Sequence, residues 1–204
     1  MAPNDDLLPV ALKAFAELGY EGASVRDLCR RMGVSHNLLN QRFGSKDGLW
    51  YAAVDHGFGA LASGIVSEFD ADRYEDDLAR LRFLMVRWLE LTAAAPEVVK
   101  IINQEATTGG PRLDYMFERY IWPVTKTVTR FLRDLEREGR VRHLDAKTWH
   151  FLMVHGASGP LSLRALSERF DGRPASDADM RRYATNVVDV LLSGISTEVP
   201  PPQK

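Results

Sequence analysis

Polar side chains that can read the edges of DNA bases are concentrated in residues 35–42. Asn and Gln can each pair with adenine through two hydrogen bonds, and His can donate to guanine acceptors or to phosphate. Leu39 and Phe43 are four residues apart, so they can anchor one face of a helix, while Leu38 either supports them or faces outward. The opposite face carries the polar side chains that we expect to project outward: His36, Asn37, Asn40 and Gln41.

Positive charge accumulates around the same segment. Between Asp27 and Asp47 the chain has no acidic residue, although its net charge at pH 7 is −2. This distribution is typical of a surface that contacts phosphates, although the basic residues alone also fit an ordinary solvated face. These basic residues are Arg30, Arg31, Arg42 and Lys46. The full set that we predict to contact DNA is Ser24, Arg26, Ser35, His36, Asn37, Asn40, Gln41, Arg42 and Lys46.

Three short helices must position these side chains. Apolar residues at three- and four-residue spacing predict a first helix from about Asp5 to Leu18, which Gly19 stops. Ser24 is expected to cap a second helix, Val25 to Met32, and Ser35 to cap a third, His36 to Phe43. A helix, a tight turn that contains glycine and a second helix of two turns are the helix-turn-helix pattern.

The remainder of the chain has the 3.6-residue apolar period of longer helices. Pro123 lies inside one of them and is expected to kink it. The predicted spans are about 46–70, 74–95, 96 to just before Gly109, 111–138, 145–170 and 177–194.

Composition places the chain among globular proteins. Hydrophobic residues make up 45% and charged residues 26%, and the mean hydropathy is −0.23. No apolar run approaches the ~18 residues of a membrane span, and the N-terminus lacks a secretory pattern, so we expect a cytoplasmic protein without a membrane partner. The single Cys29 excludes an intramolecular disulfide; it is expected to be a buried apolar residue, and a redox-sensing thiol is the alternative.

Motifs of the common enzyme classes are absent. The sequence has no HExxH, Walker loop, GxSxG or GxGxxG motif, so we expect neither an enzyme nor a cofactor. The 5 histidines show no paired metal spacing, and His150 and His155 are expected to lie on different helix faces. Glu105, beside Asn103 and Gln104, forms a polar cluster that is catalytic, lines a pocket or makes a buried hydrogen bond.

The segment from Ala11 to Trp50, ALKAFAELGYEGASVRDLCRRMGVSHNLLNQRFGSKDGLW, resembles the N-terminal signature of the TetR family of bacterial regulators. His36 and Asn37 differ from the basic and small residues usual there, and Asn40 stands where the family commonly has a tyrosine that contacts phosphate. Gln41, Arg42 or Lys46 are the candidates to replace that contact. The matching positions include Phe15, Gly19-Tyr20, Ser24-Val25-Arg26-Asp27, Gly33-Val34-Ser35, Leu39, Phe43 and Ser45-Lys46.

The resemblance implies an all-α protein with an N-terminal three-helix DNA-binding domain over residues 1–50. It also implies a C-terminal helical domain for ligand binding and dimerisation over 51–197, before a flexible tail at 198–204. In this family the last two helices pair with their copies in a homodimer. The small residues of Gly156–Gly159 permit close helix approach, and the apolar last helix fits an interface, with a monomeric core as the alternative. Its apolar residues are Val187, Val188, Val190, Leu191, Leu192 and Ile195.

The resemblance also implies a small-molecule effector that binds in the C-terminal domain. It implies a palindromic operator in double-stranded DNA, and repression as the usual mode of regulation. Aromatic and Met side chains suit an apolar ligand, and polar ones can orient it. The candidate lining residues are Met85, Trp88, Asn103, Tyr115, Tyr120, Trp122 and His155. The alternative function is a helical adaptor or metabolite-binding protein whose helix-turn-helix is structural.

Overall fold

The computed structural model describes residues 4–69, 74, 76–173 and 175–197, and these residues form the predicted all-α fold. An isolated antiparallel bridge between Val141 and Ser196 is the strand-like feature found in these ranges. The predicted tail at 198–204 lies outside the described residues. The helices are α1 Asn4–Gly22, α2 Val25–Met32, α3 His36–Phe43, α4 Lys46–Phe69, α5 Asp77–Ala94, α6 Pro96–Thr108, α7 Pro111–Met116, α8 Trp122–Arg137, α9 Ala146–Phe151, α10 Gly159–Ser162, α11 Arg164–Asp171 and α12 Asp177–Ile195.

The glycines predicted to end the first two helices are confirmed in that role. Gly19 has φ of 69° and ψ of 167°, so it breaks α1 even though a last helical turn continues to Gly22. Gly33 has φ of 66°, the left-handed conformation that glycine adopts without a steric penalty, and it ends α2. The bounds of α2 and α3 are those predicted from the sequence.

The chain divides into two compact units. The first unit takes the chain up to Ser63 together with Ala95–Tyr120, and the second takes Gly64–Ala94 and the residues from Ile121 onward. The functional division that we predict between residues 50 and 51 stays a prediction.

The core of the first unit is aromatic and aliphatic. Phe15 of α1 and Trp50 of α4 are each 1% exposed, and α1 packs against α6. A side chain at Gly57 would bring a Cβ to 2.7 Å from Leu12 Cδ2 and 2.9 Å from Val98 Cγ2, so any other residue there requires these side chains to shift. Burial of these large side chains, on the order of 2 kcal/mol each, holds the short helices together.

The helix predicted over 111–138 is confirmed as a continuous helical segment, but it contains a π turn. A π turn at Phe117–Ile121 separates α7 from α8, and Pro123 lies in the first turn of α8. Proline has no N–H to donate to the preceding turn, so the hydrogen-bond register changes just ahead of it.

The prediction of one continuous helix over residues 145–170 is wrong. A second π turn, Leu152–Ala157, follows α9, and the Ser158 N–H donates to the Met153 carbonyl at 3.2 Å, five residues back. Leu163, with φ of −105° and ψ of 46°, then separates α10 from α11. Gly156, Gly159 and Pro160 concentrate residues of poor helix propensity in this segment.

The second unit has its own core, in which α5 packs against α12. Ser176 begins α12 with a capping box: its hydroxyl accepts from the Asp179 N–H at 3.2 Å, and Asp179 accepts from the Ser176 N–H at 3.0 Å. The core residues include Leu81, Met85, Leu89, Leu132, Leu135, Trp149, Met153 and Val188.

None of the helices in the described part of the chain is both long enough and apolar enough to cross a membrane.

Candidate nucleic-acid interface

Hydroxyl caps define the start of each helix around the predicted reading segment. Ser24 accepts a hydrogen bond from the Asp27 N–H at 3.1 Å, and Ser35 accepts one from the Leu38 N–H at 3.2 Å. Ser45 does the same for the Gly48 N–H at 3.0 Å, at the start of α4. Each cap satisfies a donor that the first turn of a helix otherwise leaves unpaired, so the serine spacing fixes where α2, α3 and α4 begin.

The predicted division of α3 into a buried and an exposed face is confirmed. Leu39 is 1% exposed, and Phe43 and Leu38 are half-buried. The polar side chains of the other face are all exposed, and the Asn40 Nδ2 lies 3.3 Å from the His36 Nδ1. A polar face with this set of donors and acceptors matches what base edges offer in a major groove. The exposed residues are His36, Asn37, Asn40 and Gln41.

The basic residues of the segment differ in how they are engaged. Arg30 pairs with Asp27 at 2.7 Å and Arg31 pairs with Glu17 at 2.5 Å, so acids outside the acid-free stretch offset both charges. Asp27 lies three residues before Arg30 on α2 itself, whereas Glu17 lies on α1, so sequence spacing did not predict the pair with Arg31. Exposed pairs of this kind contribute little stability.

The remaining predicted phosphate contacts stay accessible to different degrees. Ser24, Arg26 and Ser35 are exposed, and Arg42 is half-buried. The Lys46 Nζ lies 4.1 Å from the ring centre of Tyr20, a cation–π contact that positions it without neutralising its charge. Arg26 and Lys46 therefore keep the positive charge that contact with a phosphate backbone requires, and the serine hydroxyls can donate hydrogen bonds to phosphate oxygens.

Tyr20 links the end of α1 to the start of α4. Its hydroxyl donates to the Asp47 carboxylate at 2.5 Å, and the Arg112 guanidinium lies 3.8 Å from its ring centre. Burial and the hydrogen bond to Asp47 raise the pKa of Tyr20 to about 12. The neutral Tyr20 therefore stays hydrogen-bonded to Asp47 and holds its ring against Lys46.

Glu105 makes the buried hydrogen bond that was one of the roles open to it. It is 4% exposed, and the Arg112 Nε donates to its carboxylate at 3.0 Å. A buried carboxylate requires such a partner because removing a lone charge from water costs several kcal/mol. The sequence placed Glu105 in an apolar helix but gave no signal that Arg112 would reach it.

Comparison with known proteins agrees with this geometry. Residues 7–53 match the family model of bacterial regulatory proteins of the tetR family. This N-terminal segment is therefore of the tetR-family type.

Curated relatives from mycobacteria share part of the chain. The HTH-type transcriptional repressor Rv3405c of Mycobacterium tuberculosis is 37% identical over 104 residues, which are 48% of this chain and 55% of that protein. The HTH-type transcriptional regulator Mb3439c of Mycobacterium bovis has the same identity and coverage, 37% over 104 residues. The match therefore covers about half the length of these relatives.

Solved structures of regulators share the fold at low identity. The ketosteroid transcriptional regulator KstR2 of Mycobacterium tuberculosis has a TM-score of 0.68 at 22% identity, over 97% of both chains. The transcriptional regulator FadR from Bacillus subtilis, solved in complex with stearoyl-CoA, has a TM-score of 0.68 at 16% identity, over 93% of this chain and 98% of that one.

The predicted ligand residues divide between the two units of the chain. In the first unit, the hydroxyls of Tyr115 and Tyr120 each donate to the Asp55 carboxylate at 2.6 Å, and the Arg119 Nε lies 3.4 Å from it. Burial and the hydrogen bond to Asp55 raise the pKa of both tyrosines. Asn103, on α6 of the same unit, is half-buried.

The other predicted ligand residues belong to the second unit. Met85 lies in its core with Trp88 packed against it, Trp122 is 44% exposed and His155 is exposed. The Trp88 Nε1 and the Thr92 Oγ1 are buried, and neither has a hydrogen-bond partner among the described residues. These two unsatisfied polar groups lie one turn apart on α5. Trp88 was among the predicted ligand residues, whereas Thr92 was not.

A groove of about 570 Å³ lies along α10, α11 and α12, and none of the predicted ligand residues lines it. Its wall is mainly apolar, with Asp179 and Arg182 as charged members. Leu163 and Leu166 are 58% and 56% exposed, and Phe170 is 86% exposed. Further lining residues are Pro160, Met180, Tyr183 and Asn186.

Most of the apolar residues predicted at an interface on the last helix serve the core of the second unit instead. Val188 and Ile195 are buried, and Val187, Leu191 and Leu192 pack against the same core. Val190, at 71% exposed, is the residue of that set that points away from it. The apolarity of α12 is thus explained largely by folding of a single chain.

Proposed function

We propose that this chain is a transcriptional repressor that binds a palindromic operator as a homodimer and is released by a small-molecule effector. The observation that carries the proposal is the exposed polar face of α3, held in place by capped helices in a domain that matches the tetR family model. A helix-turn-helix places its second helix in the major groove, where amide and imidazole side chains meet base edges.

The proposed roles of the contact residues follow from their exposure. His36, Asn37, Asn40 and Gln41 read bases, because they share the exposed face of α3. The hydroxyl and basic residues around them bind phosphates, which set the register of the helix in the groove without reading sequence. These are Ser24, Arg26, Ser35, Arg42 and Lys46.

Dimerisation is supported by the apolar surface of the second unit. Phe151, Leu163, Leu166, Phe170 and Val190 are all more than half exposed. Exposed apolar residues in such number mark interaction surfaces on soluble proteins. A homodimer that pairs this surface would hold two copies of α3 about one DNA turn, ~34 Å, apart.

An effector is supported by buried polar groups that lack a partner. The Trp88 Nε1 and Thr92 Oγ1 would gain hydrogen bonds from an acceptor on a bound molecule. The structural neighbour from Bacillus subtilis was solved with stearoyl-CoA, a ligand with a long apolar acyl chain and a charged coenzyme A group. An effector that favours another separation of the α3 helices would weaken operator binding by linkage.

Selection of duplexes from a random library tests the proposal. We expect enrichment of an inverted repeat, with log affinity falling against log salt by about 0.9 for each phosphate contacted. If the ligand-free chain enriches no sequence and binds only weakly in a way that salt abolishes, specific DNA recognition fails. The adaptor function would then be favoured.

A further inference from the structure

The π turn after α9 brings together two histidines that the sequence separates. His150 and His155 are five residues apart, so on an α-helix with 3.6 residues per turn they would face different directions. The π turn at Leu152–Ala157 runs its hydrogen bonds over five residues, and the two imidazole centres lie 6.0 Å apart. The expectation that these histidines lie on different faces is therefore wrong.

The distance between the rings suits one shared metal ion. Imidazole nitrogens bind first-row metals at about 2.0–2.1 Å, so two rings that share an ion have centres about 5 Å apart at a tetrahedral angle and about 6 Å apart when they lie nearly opposite each other. The planes of the two rings are inclined by 66°, so the rings are not stacked against each other. His155 is exposed, which leaves the rest of the coordination sphere open to water.

Thr125 of α8 orients one of the two imidazoles. Its hydroxyl lies 3.3 Å from the His150 Nδ1, which leaves the Nε2 of that ring for a metal. A hydrogen bond to the non-coordinating nitrogen is the usual way in which proteins fix a histidine ligand. His150 is also half-buried, so its rotamers are restricted before a metal arrives.

We propose that His150 and His155 form a two-imidazole site for a divalent first-row transition metal ion, with water in the remaining positions. Imidazole selects Cu²⁺, Ni²⁺ and Zn²⁺ over hard ions such as Mg²⁺. Among the described residues, no group of three or more His, Cys, Asp or Glu side chains is placed to hold a metal, so the site has two protein ligands. Because the pair exists only in the π register, the bound ion stabilises that register.

Titration of the full, untagged chain with Cu²⁺ and Ni²⁺ tests the site. We expect one saturable equivalent per chain, with electron paramagnetic resonance of the Cu²⁺ form showing two imidazole nitrogens. His155→Ala removes an exposed ligand without touching the core, and should lower affinity by about tenfold or more and leave one nitrogen. His150→Gln should have the same effect on affinity.

His143→Ala is the matched control, since His143 is exposed and its Nδ1 lies 3.1 Å from Glu136 on another part of the surface. The control should bind metal as the wild type does. As a second measurement, Ni²⁺ should raise the thermal unfolding midpoint of the wild type and of His143→Ala, but not of His155→Ala. Unchanged metal binding in His155→Ala, or an equal loss in His143→Ala, overturns the proposal.

Discussion

At the scale of single residues, base reading and phosphate binding have different signatures. Asn40→Ala and Gln41→Ala remove amide groups from the exposed face of α3, so we expect each to reduce discrimination between the selected site and its variants. The loss should be about 1–3 kcal/mol for each amide that pairs with a base. Competition binding with single-base variants of the selected duplex measures it.

Arg26→Ala should weaken binding to every duplex about equally and lower the salt slope by about 1. Arg133→Ala is its control, because Arg133 is an exposed arginine of α8 in the other unit. If Asn40→Ala and Gln41→Ala lose affinity uniformly across sequences, the polar face of α3 does not read bases.

Ionisation of the Tyr115 and Tyr120 hydroxyls tests their hydrogen bonds to Asp55. Burial and the hydrogen bonds to Asp55 raise the pKa of Tyr115 and Tyr120. Their neutral forms therefore stabilise the fold fully below the ordinary pKa near 10, and this stability is lost as the pH rises through the raised values. Absorbance titration should show these hydroxyls still protonated at pH near 10, and Asp55→Asn should bring their ionisation to lower pH.

Asp47→Asn is the control for this titration, since it changes the partner of Tyr20 alone. It should lower the pKa of Tyr20 from about 12 and leave the pair at Asp55 unchanged. An unaltered titration curve in Asp55→Asn would contradict the assignment of these shifts.

The sequence predicted the burial of single residues correctly where the helical period alone determines which face a side chain lies on. The 3.6-residue spacing alone put Leu39 inside and Asn40 outside, because each position on a helix fixes a direction. The same spacing says nothing about partners far along the chain, so the contact of Arg112 with Tyr20 and Glu105 was not predictable. It also left Arg30 and Arg31 as free charges, whereas both are paired.

At the scale of elements, the start of α12 depends on a short sequence signal. Ser176→Ala removes the hydroxyl that caps the Asp179 N–H, so we expect a loss of about 1 kcal/mol in the free energy of unfolding. Urea denaturation followed by circular dichroism measures it. Ser193→Ala, an exposed change within the same helix, should cost less, because alanine is a better helix former than serine. Equal losses in the two variants would mean that the cap contributes nothing.

Helix ends were more predictable than helix interiors. Caps and glycines act over a few residues, so Ser24, Gly33 and Ser35 were sufficient to place α2 and α3. A π turn inserts one residue into the register without changing composition, and it therefore leaves no clear trace in an apolar pattern. The π turns at Phe117–Ile121 and Leu152–Ala157 were missed for this reason, although Pro123 did predict a kink close to the first of them.

At the scale of the whole molecule, the sequence predicted the fold class, whereas the set of effector-binding residues stays a prediction. Helical periods predict an all-α chain, yet they do not say which helices share a core. Tyr115 and Tyr120 fall in the first unit with Asp55, while Met85 and Trp88 fall in the second. Predicting these residues as one set required knowledge of packing between distant segments.

The proposed dimer requires a surface that is apolar in the single chain and buried in the pair. Val190→Glu places a carboxylate where the outward face of α12 would meet its copy, and desolvating an unpaired charge there costs several kcal/mol. We expect the wild type to sediment as a dimer and this variant to sediment as a monomer, with dissociation constants that differ tenfold for every 1.4 kcal/mol. The variant should also lose its preference for an inverted repeat over a single half-site.

Val10→Glu is the matched control, since Val10 is an exposed valine of α1, 37% accessible, outside the proposed interface. It should leave the sedimentation of the dimer unchanged. Because dimerisation and operator reading are coupled through the spacing of two α3 helices, the two readouts must fail together in Val190→Glu. A monomeric variant that still prefers the inverted repeat would separate them, and would show that the spacing is set by DNA rather than by α12.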